Sequence, residues 1–491
     1  MPEHALEPIF HPRGIALVGV SSSDGVSGGG GGSGGFLASL LEQGFQDKGG
    51  LYPVNPKMSE VRGLRCYPTL LDTPDPVDHV ISLIPARAVP TLVDQAIQKK
   101  VRSIHFFTAG FSETGDPEMA RMEQEVIAKL KAAGIRAVGP NCMGLYVPSE
   151  RIAFMNGFPK EPGNVMMISQ SGANAGDVVH GLGRRGVRFS KVVSFGNGID
   201  IRAHDLFDYA AADPQTEVIT AYIEGVQDGR KMFEAVKAAA RVKPVILLKG
   251  GLTSAGARAA HSHTGSLAGS VDIFEALCRQ TGAMRAETMD DLHDLVIAVN
   301  TSVKRVQGRG VALVVGGGGF AVLSSDAIAT AGLEVPPTPD ETKRLLSEFI
   351  PVAGTSVNNP IDTNMGTPEV ALKTLRIVAE APTNDVIIAA PNLGQRTNPG
   401  DAAPTAEERE ERIREQIRTS VETYAKTQEE TGTPIVALLR DRSGTPEMMD
   451  VFQQEAYRAG IATYPTVARA ARAIALMLRW RERRQGLPAV F

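Results

Sequence analysis

Three times in this chain a short run of aliphatic residues opens directly into glycine. Ile15–Val20 leads into a glycine-rich segment ending at Gly35, Val165–Ser169 is followed by Gln170, Ser171 and Gly172, and Val311–Val315 by Gly316 to Gly319. A strand that ends in such a turn and re-enters as a helix is the opening of a parallel βα unit. Glycine is 51 of 491 residues, above the usual ~7%, and these turns account for much of the excess. Between the openings the same alternation continues. Leu51–Val54, His79–Ile84, Ser103–Phe107, Ala137–Val138 and Val218–Ile223 read as strands, and Phe36–Gly44 and Pro117–Ala133 as helices. The strands are apolar throughout, as expected where helices cover both faces of a sheet. The fold class is therefore α/β, with three Rossmann-like or flavodoxin-like doubly wound parallel-sheet domains. Proline and glycine punctuation places them at 1–149, 150–303 and 304–491, in keeping with about 150 residues per domain.

Composition removes several classes. The formal charge of −4 excludes a basic, nucleic-acid-coating protein. An apolar content of 43% builds cores and excludes disorder. Cys66, Cys142 and Cys278 make no disulfide framework, and no Cys/His set has zinc spacing, so no metal site is read. There is no apolar signal core at the start and no run of about 18 apolar residues, and a cytoplasmic protein is expected. Residues 395–411 read as an exposed loop entering a helix, on which Ile413, Ile417 and Val421 share one face among charges, a solvated surface helix. Ala468–Arg484 is a closing helix with a basic end that suits the helix dipole.

Chemistry concentrates in a few strings. Val18 to Gly35 can cradle a phosphate on backbone amides, or it is a low-complexity loop. Tyr52 to Lys57 (YPVNPK) ends a strand and aims Lys57 at the sheet edge where open α/β folds bind ligands. The segment Ala257 to Gly269 sets His261 and His263 among small residues. A neutral imidazole there is a nucleophile toward phosphorus when its second nitrogen is oriented. Glu224, just past the strand Val218–Ile223, is placed to be the orienting carboxylate. The residues alone do not choose between the two histidines. Ser171 and Gly172, and the Gly317 to Gly319 run, are further helix N-termini suited to an anion, or tight strand–helix packing.

With these strings in hand, the chain resembles the α subunit of the ADP-forming (NDP-forming) acyl-CoA synthetases of the succinyl-CoA synthetase superfamily. YPVNPK, SLIPA, TAGF, GPNCMG, ISQSGA, SFGN, YIEGVQDGRK, SHTGSLAG and NPID carry the resemblance. It implies that His263 is phosphorylated, with His261 a neighbour, and that Glu224 holds it. It implies CoA binding by Ser21, Ser22, Ser23, Lys57, Ile84, Pro85, Ala86, Ala109 and Gly110. Ser171 and Gly172, with Gly317, Gly318 and Gly319, would hold the phosphoryl group from two helix ends, and Gly196 and Asn197 would border the acid pocket. Gly198 stands where the family often has lysine. The implied reaction interconverts a small carboxylic acid, CoA and ATP with acyl-CoA, ADP and phosphate, through an acyl phosphate and a phosphohistidine. No ATP-grasp module is visible, so ATP/ADP and Mg²⁺ are expected on a separate ATP-grasp β subunit in a hetero-oligomer such as α2β2. The alternatives are a CoA-dependent acyl or carbamoyl transferase working without ATP-grasp, and a non-catalytic CoA-binding regulatory protein.

Overall fold

The computed structural model describes residues 4–21, 34–258, 270–351, 355–363, 367–391, 393, 405–440, 445–484 and 490. The first sheet contains β1 (Gly14–Val18), β2 (Gly50–Val54), β5 (His79–Ser82), β6 (Ser103–Phe106) and β7 (Arg136–Val138), with a small hairpin of β3 (Glu60–Val61) and β4 (Leu64–Arg65) beside it. Its order is β2-β1-β5-β6-β7, all parallel. The second sheet contains β8 (Gly144–Tyr146), β9 (Val165–Ser169), β10 (Phe189–Ser194), β11 (Val218–Ile223), β12 (Val245–Lys249) and β13 (Met284–Ala286), in the order β13-β12-β11-β9-β10-β8 with β8 antiparallel at the edge. The third holds β14 (Val311–Val315), β15 (Ile361–Asp362), β16 (Val386–Ala389), β17 (Ile435–Leu438) and β18 (Ala462–Tyr464), ordered β15-β14-β16-β17-β18.

Counting only the parallel strands, all three sheets have the 2-1-3-4-5 order of a flavodoxin-like fold. In such a sheet the chain reverses direction between its first and third strands, and ligands bind at the carboxyl ends there. The switch points are β1/β5, β9/β11 and β14/β16. Each is built by one of the strand–glycine openings.

The strands form where burial on both faces leaves only apolar side chains. Val165–Ser169, Val218–Ile223 and Val311–Val315 coincide with the runs read from sequence. β1 stops at Val18, two residues short of the expected end, because Gly19 turns to φ +100° against Ile84, where a Cβ would lie 2.7 Å from a methyl carbon. Two buried histidines interrupt the apolar pattern of the first sheet. The His79 ring nitrogen Nδ1 meets the Ser103 hydroxyl at 2.8 Å, and His105 Nε2 donates to the Cys142 carbonyl at 3.0 Å.

The first two sheets lie in one compact unit, Met1–Gly183 with Arg188–Glu287, and the third in another, Thr288–Gly486 with Arg184–Val187. Two segments group differently from the sequence division. Gly144–Tyr146, ahead of residue 149, pairs with β10 as the edge of the second sheet. The helix Met289–Asn300, ahead of residue 303, groups with the third sheet, because Asp291 and Asp294 pair with Arg472 and Arg469 of the helix Val467–Arg483 at 2.6 and 2.7 Å.

The helix Ala406–Thr431 is not solvated along its whole length. Ile417 and Val421 are buried in the third core with Leu375 and Tyr424, while its charged first turns are exposed. The basic closing helix likewise turns inward, with Trp480 and Arg484 buried and the guanidinium 5.2 Å from the indole centroid. Among the described residues, no helix is long and apolar enough to cross a membrane.

Candidate active site

The switch point of the second sheet is a turn bonded by several side chains. β9 ends at Ser169 and β11 at Ile223, so Gln170 and Glu224 emerge side by side from adjacent parallel strands. The Gln170 side-chain carbonyl Oε1 accepts from the backbone amides of both Glu224 and Gly225, at 2.5 and 2.9 Å. Tyr222 donates its hydroxyl to Glu224 Oε1 at 3.1 Å. Burial first and the Glu224 charge second push the Tyr222 phenol up to about 12, so it remains a donor at neutral pH. Lys249, the last residue of β12, donates from Nζ to the carbonyls of Glu224 and Gly250. Gly250 must lack a side chain, since a Cβ would fall 2.5 Å from the Tyr222 hydroxyl.

The Glu224 carboxyl is thus half satisfied. Its Oε1 is held, whereas Oε2 is buried with no hydrogen-bond partner among the described residues. A buried polar atom without a partner is costly, and a carboxylate oxygen in that state is an acceptor waiting for an N–H or O–H. The segment that leaves β12 at Gly250 runs through residues 254–258 as helix and resumes at Ser270, which caps Val271–Thr281. His261 and His263 lie between, outside the described residues.

Beside Glu224, the helix Gly172–Arg184 points its N-terminus out of the same turn. Ser171 is its cap. Its hydroxyl accepts from the Asn174 amide at 3.3 Å, and its own amide donates to Ser169 Oγ at 3.2 Å. The amides of Gly172 and Ala173 are left without intrahelical acceptors and face an anion favourably. Gly172 is required by close packing, because a Cβ would sit 2.3 Å from Met143 Cγ.

A cavity of about 520 Å³ opens from Gln170 and Gly225. Its lining includes Glu113, Phe195, Asn197, Arg202, His204 and Met232. Glu113 accepts from the amides of Gly110 and Phe111 and from Asn197 Nδ2, at 2.6, 3.2 and 3.1 Å, which ties the first sheet's loop to the second sheet's site. Asn197 Oδ1 is buried without a partner among the described residues. Gly198 lines the cavity too, at φ +64°, whereas Gly196 packs behind it against the Pro140 and Asn141 carbonyls.

At the carboxyl edge of the first sheet, bonds between turns gather the residues expected to meet CoA. Asn55 Nδ2 donates to the Val20 carbonyl at 2.6 Å, and the Lys57 amide donates to Asn55 Oδ1 at 2.8 Å, so Ser21 and the exposed Lys57 share one rim. Thr108 Oγ1 donates to the Ile84 carbonyl at 2.8 Å, and Gly110, at φ +100°, comes against Ala86. Ile84, Pro85, Ala86, Ala109 and Gly110 therefore line the adjoining stretch. Ser22 and Ser23 lie outside the described residues.

The third sheet's turn is barer. Gly317, at φ +105°, donates its amide to Asp362 Oδ1 at 3.0 Å, and Gly318 and Gly319 open the helix Gly318–Thr330 on an exposed surface.

Residues 13–148 match a CoA binding domain and residues 162–299 a succinyl-CoA ligase like flavodoxin domain. The α subunit of the ADP-forming acetate–CoA ligase II of Pyrococcus furiosus is 35% identical over 386 residues, covering 78% of this chain and 82% of that one. The chain belongs to the ADP-forming acyl-CoA synthetases of the succinyl-CoA ligase superfamily. An ADP-forming acetate–CoA ligase of Archaeoglobus fulgidus is also 35% identical, over 78% of this chain but 54% of its own length, so the chain spans about half of that relative. Among solved structures, the dinucleotide-forming acetyl-coenzyme A synthetase 1 of Ca. Korarchaeum cryptofilum, in complex with phosphate and ADP, matches with a TM-score of 0.76 at 30% identity over 98% of both chains.

Within this synthetase fold, sequence reasoning singles out Glu224 but not the residues that hold it. Gln170 reaches across 54 positions and Lys249 across 25, and polar residues at strand ends look solvated until the strands are paired. Glu113 and Asp362 were missed for the same reason, although Gln170 and Asp362 stand inside the ISQSGA and NPID strings.

Proposed function

We propose that this chain is the CoA- and phosphoryl-handling part of an ADP-forming acyl-CoA synthetase, interconverting a small carboxylic acid, CoA and ATP with acyl-CoA, ADP and phosphate. The observation that carries the reading is Glu224 Oε2, buried at the switch point without a hydrogen-bond partner among the described residues, beside the segment that leads to His263. In the acyl-CoA-consuming direction a phosphate oxygen adds to the thioester carbonyl. The C–S bond breaks, giving acyl phosphate and the CoA thiol. A His263 ring nitrogen then attacks phosphorus, the P–O bond to the acyl group breaks and the carboxylate leaves. The other ring N–H donates to Glu224 Oε2, which orients the imidazole and stabilises the positive charge it develops.

The amides of Gly172 and Ala173 face the phosphoryl oxygens, and the exposed amides at Gly318 and Gly319 form a second cradle of the same chemistry. The first-sheet rim, Ser21 to Ser23 with Lys57, Ile84–Ala86, Ala109 and Gly110, takes CoA. The cavity at Asn197 takes the acyl group. ADP and Mg²⁺ belong to an ATP-grasp partner subunit in a cytoplasmic hetero-oligomer. The first sheet's domain acts on CoA, and the domains of the second and third sheets act in phosphoryl handling. A purely regulatory CoA-binding protein has no use for a buried carboxylate oxygen without a partner among the described residues, followed in the chain by an SHTGSLAG histidine.

The test uses the full chain with radiolabelled inorganic phosphate and a panel of short, branched, aromatic and dicarboxylic acyl-CoAs. Acid-labile, base-stable label is expected on His263, lost in His263→Ala and kept in His261→Ala. A preparation that consumes acyl-CoA in the presence of phosphate yet carries no such label would overturn the reading.

A further inference from the structure

Strand β12 is apolar until its last residue, where Lys249 is only 7% exposed. Lysine is almost never buried unless paired, yet no carboxylate forms an ion pair with Lys249 among the described residues. Its Nζ instead donates to two neutral carbonyls, those of Glu224 and Gly250, at 2.5 Å each. These carbonyls belong to the turns that follow β11 and β12. The Gly250 amide donates in turn to the Ile223 carbonyl at 2.9 Å. One ammonium therefore ties the turn carrying the catalytic carboxylate to the first residue of the segment leading to His263. A neutral donor could make the same bonds without the cost of burying a charge, so the charge itself calls for a reason. Phosphoryl transfer supplies one, since a phosphoryl dianion beside the Glu224 carboxylate is a like-charge contact that a fixed cation offsets. Burial holds the ammonium below the usual lysine range, with the Glu224 charge opposing that shift.

We infer that Lys249 is a positioning residue for phosphoryl transfer to histidine, fixing the Glu224 turn against the start of the His263 segment and balancing the charge of the arriving phosphoryl group. The inference rests on the phosphohistidine reading above. It separates the two chemical steps. Formation of acyl phosphate from acyl-CoA and phosphate needs neither Glu224 nor Lys249, whereas transfer of its phosphoryl group to His263 needs both.

The full chain carrying Lys249→Met is compared with wild type, using the acyl-CoA that labels wild type fastest. Acyl phosphate is trapped with hydroxylamine, and labelling of His263 from radiolabelled phosphate is followed in parallel. Labelling is expected to slow about 10²-fold while trapping stays unchanged. Lys249→Gln, which keeps a donor without the charge, is expected to slow labelling as well and serves where the methionine variant does not fold. Wild-type labelling in either folded variant would overturn the inference, and so would an equal fall in both steps, the mark of a structural role. Absence of His263 label in the unmutated chain is a distinct result that removes the reading and this inference together.

Discussion

Two turns of this molecule share one design and differ in how tightly they are built. After β9 and β11, the Glu224 turn is held by Gln170, Tyr222 and Lys249, and its second carboxylate oxygen is buried with no partner among the described residues. After β14, the glycine turn is held at Gly317 by Asp362, and its next two residues are exposed. Both are strand–glycine–helix openings at the switch point of a flavodoxin-like sheet. The difference shows what each can contribute. A side chain that must orient a proton and a ring needs a rigid surround, because geometric error there is felt directly in rate. Backbone amides at a helix N-terminus are already rigid, and need only an open approach and no Cβ in the way.

The largest expected effect tests the rigid turn. Glu224→Gln keeps the shape and the Tyr222 contact but removes the charge. Phosphohistidine formation, followed as label on His263, is expected to fall about 10²–10³-fold. Acyl phosphate trapping is expected to be unaffected. An unchanged labelling rate would show that another acid orients the histidine and would erase the contrast between the turns.

How much of this was legible beforehand follows from the same contrast. Periodicity announces strands buried on both faces, so Val165–Ser169, Val218–Ile223 and Val311–Val315 were readable residue by residue. Glu224 was readable as well, because its position depends only on where its own strand ends. Gln170 and Lys249 were not, since their roles depend on β9, β11 and β12 being neighbours. That order follows from the chain crossing over at the switch point and not from any local pattern. Ile417 and Val421 were misleading for a related reason: two apolar residues among charges look like a surface stripe until the third core is seen to receive them. Asp362 carries the same lesson, because a carboxylate in NPID has no evident partner before β15 is laid beside β14.

Acid should separate the two compact units. Burial holds His79 down at about 3, with the neighbouring His105 adding to the effect, and burial holds His105 at about 4. Both belong to the unit that contains Glu224. The third sheet's unit contains His293, lowered to about 4 chiefly by burial and then by Arg185. These folded values lie below the ordinary 6.5, so the unfolded chain takes up protons that the folded chain refuses. Stability from the neutral rings is complete above about 6.5 and is lost as pH falls toward 4 and 3, by roughly 2 kcal/mol for each ring at about pH 5. Two such rings against one predict that the first unit yields at higher pH. The sole tryptophan, Trp480, lies in the third sheet's unit and reports on it by fluorescence. Far-UV circular dichroism is expected to decline before Trp480 emission shifts. Coincident curves would show that the units unfold together and that the contrast stops at the turns.

The smallest effect is the sharpest probe of what each glycine does. At Gly172 an added methyl meets Met143 Cγ at 2.3 Å, so Gly172→Ala forces that side chain aside and is expected to cost about 1–3 kcal/mol in urea unfolding. At Gly319 nothing lies within 4 Å of the added methyl. There Gly319→Ala is expected to leave stability unchanged or raise it by about 0.5 kcal/mol, since alanine is the better helix former. The two glycines are thus needed for opposite reasons. Gly172 is needed by the protein, whose GPNCMG loop packs against it, whatever ligand is present. If Gly319 is needed at all, it is needed by something that approaches from outside. A stable Gly319→Ala enzyme that loses thioester formation assigns that exposed helix end to a ligand. A stable variant with full activity leaves the third sheet's turn as a connection and places the phosphoryl chemistry on the Glu224 side alone.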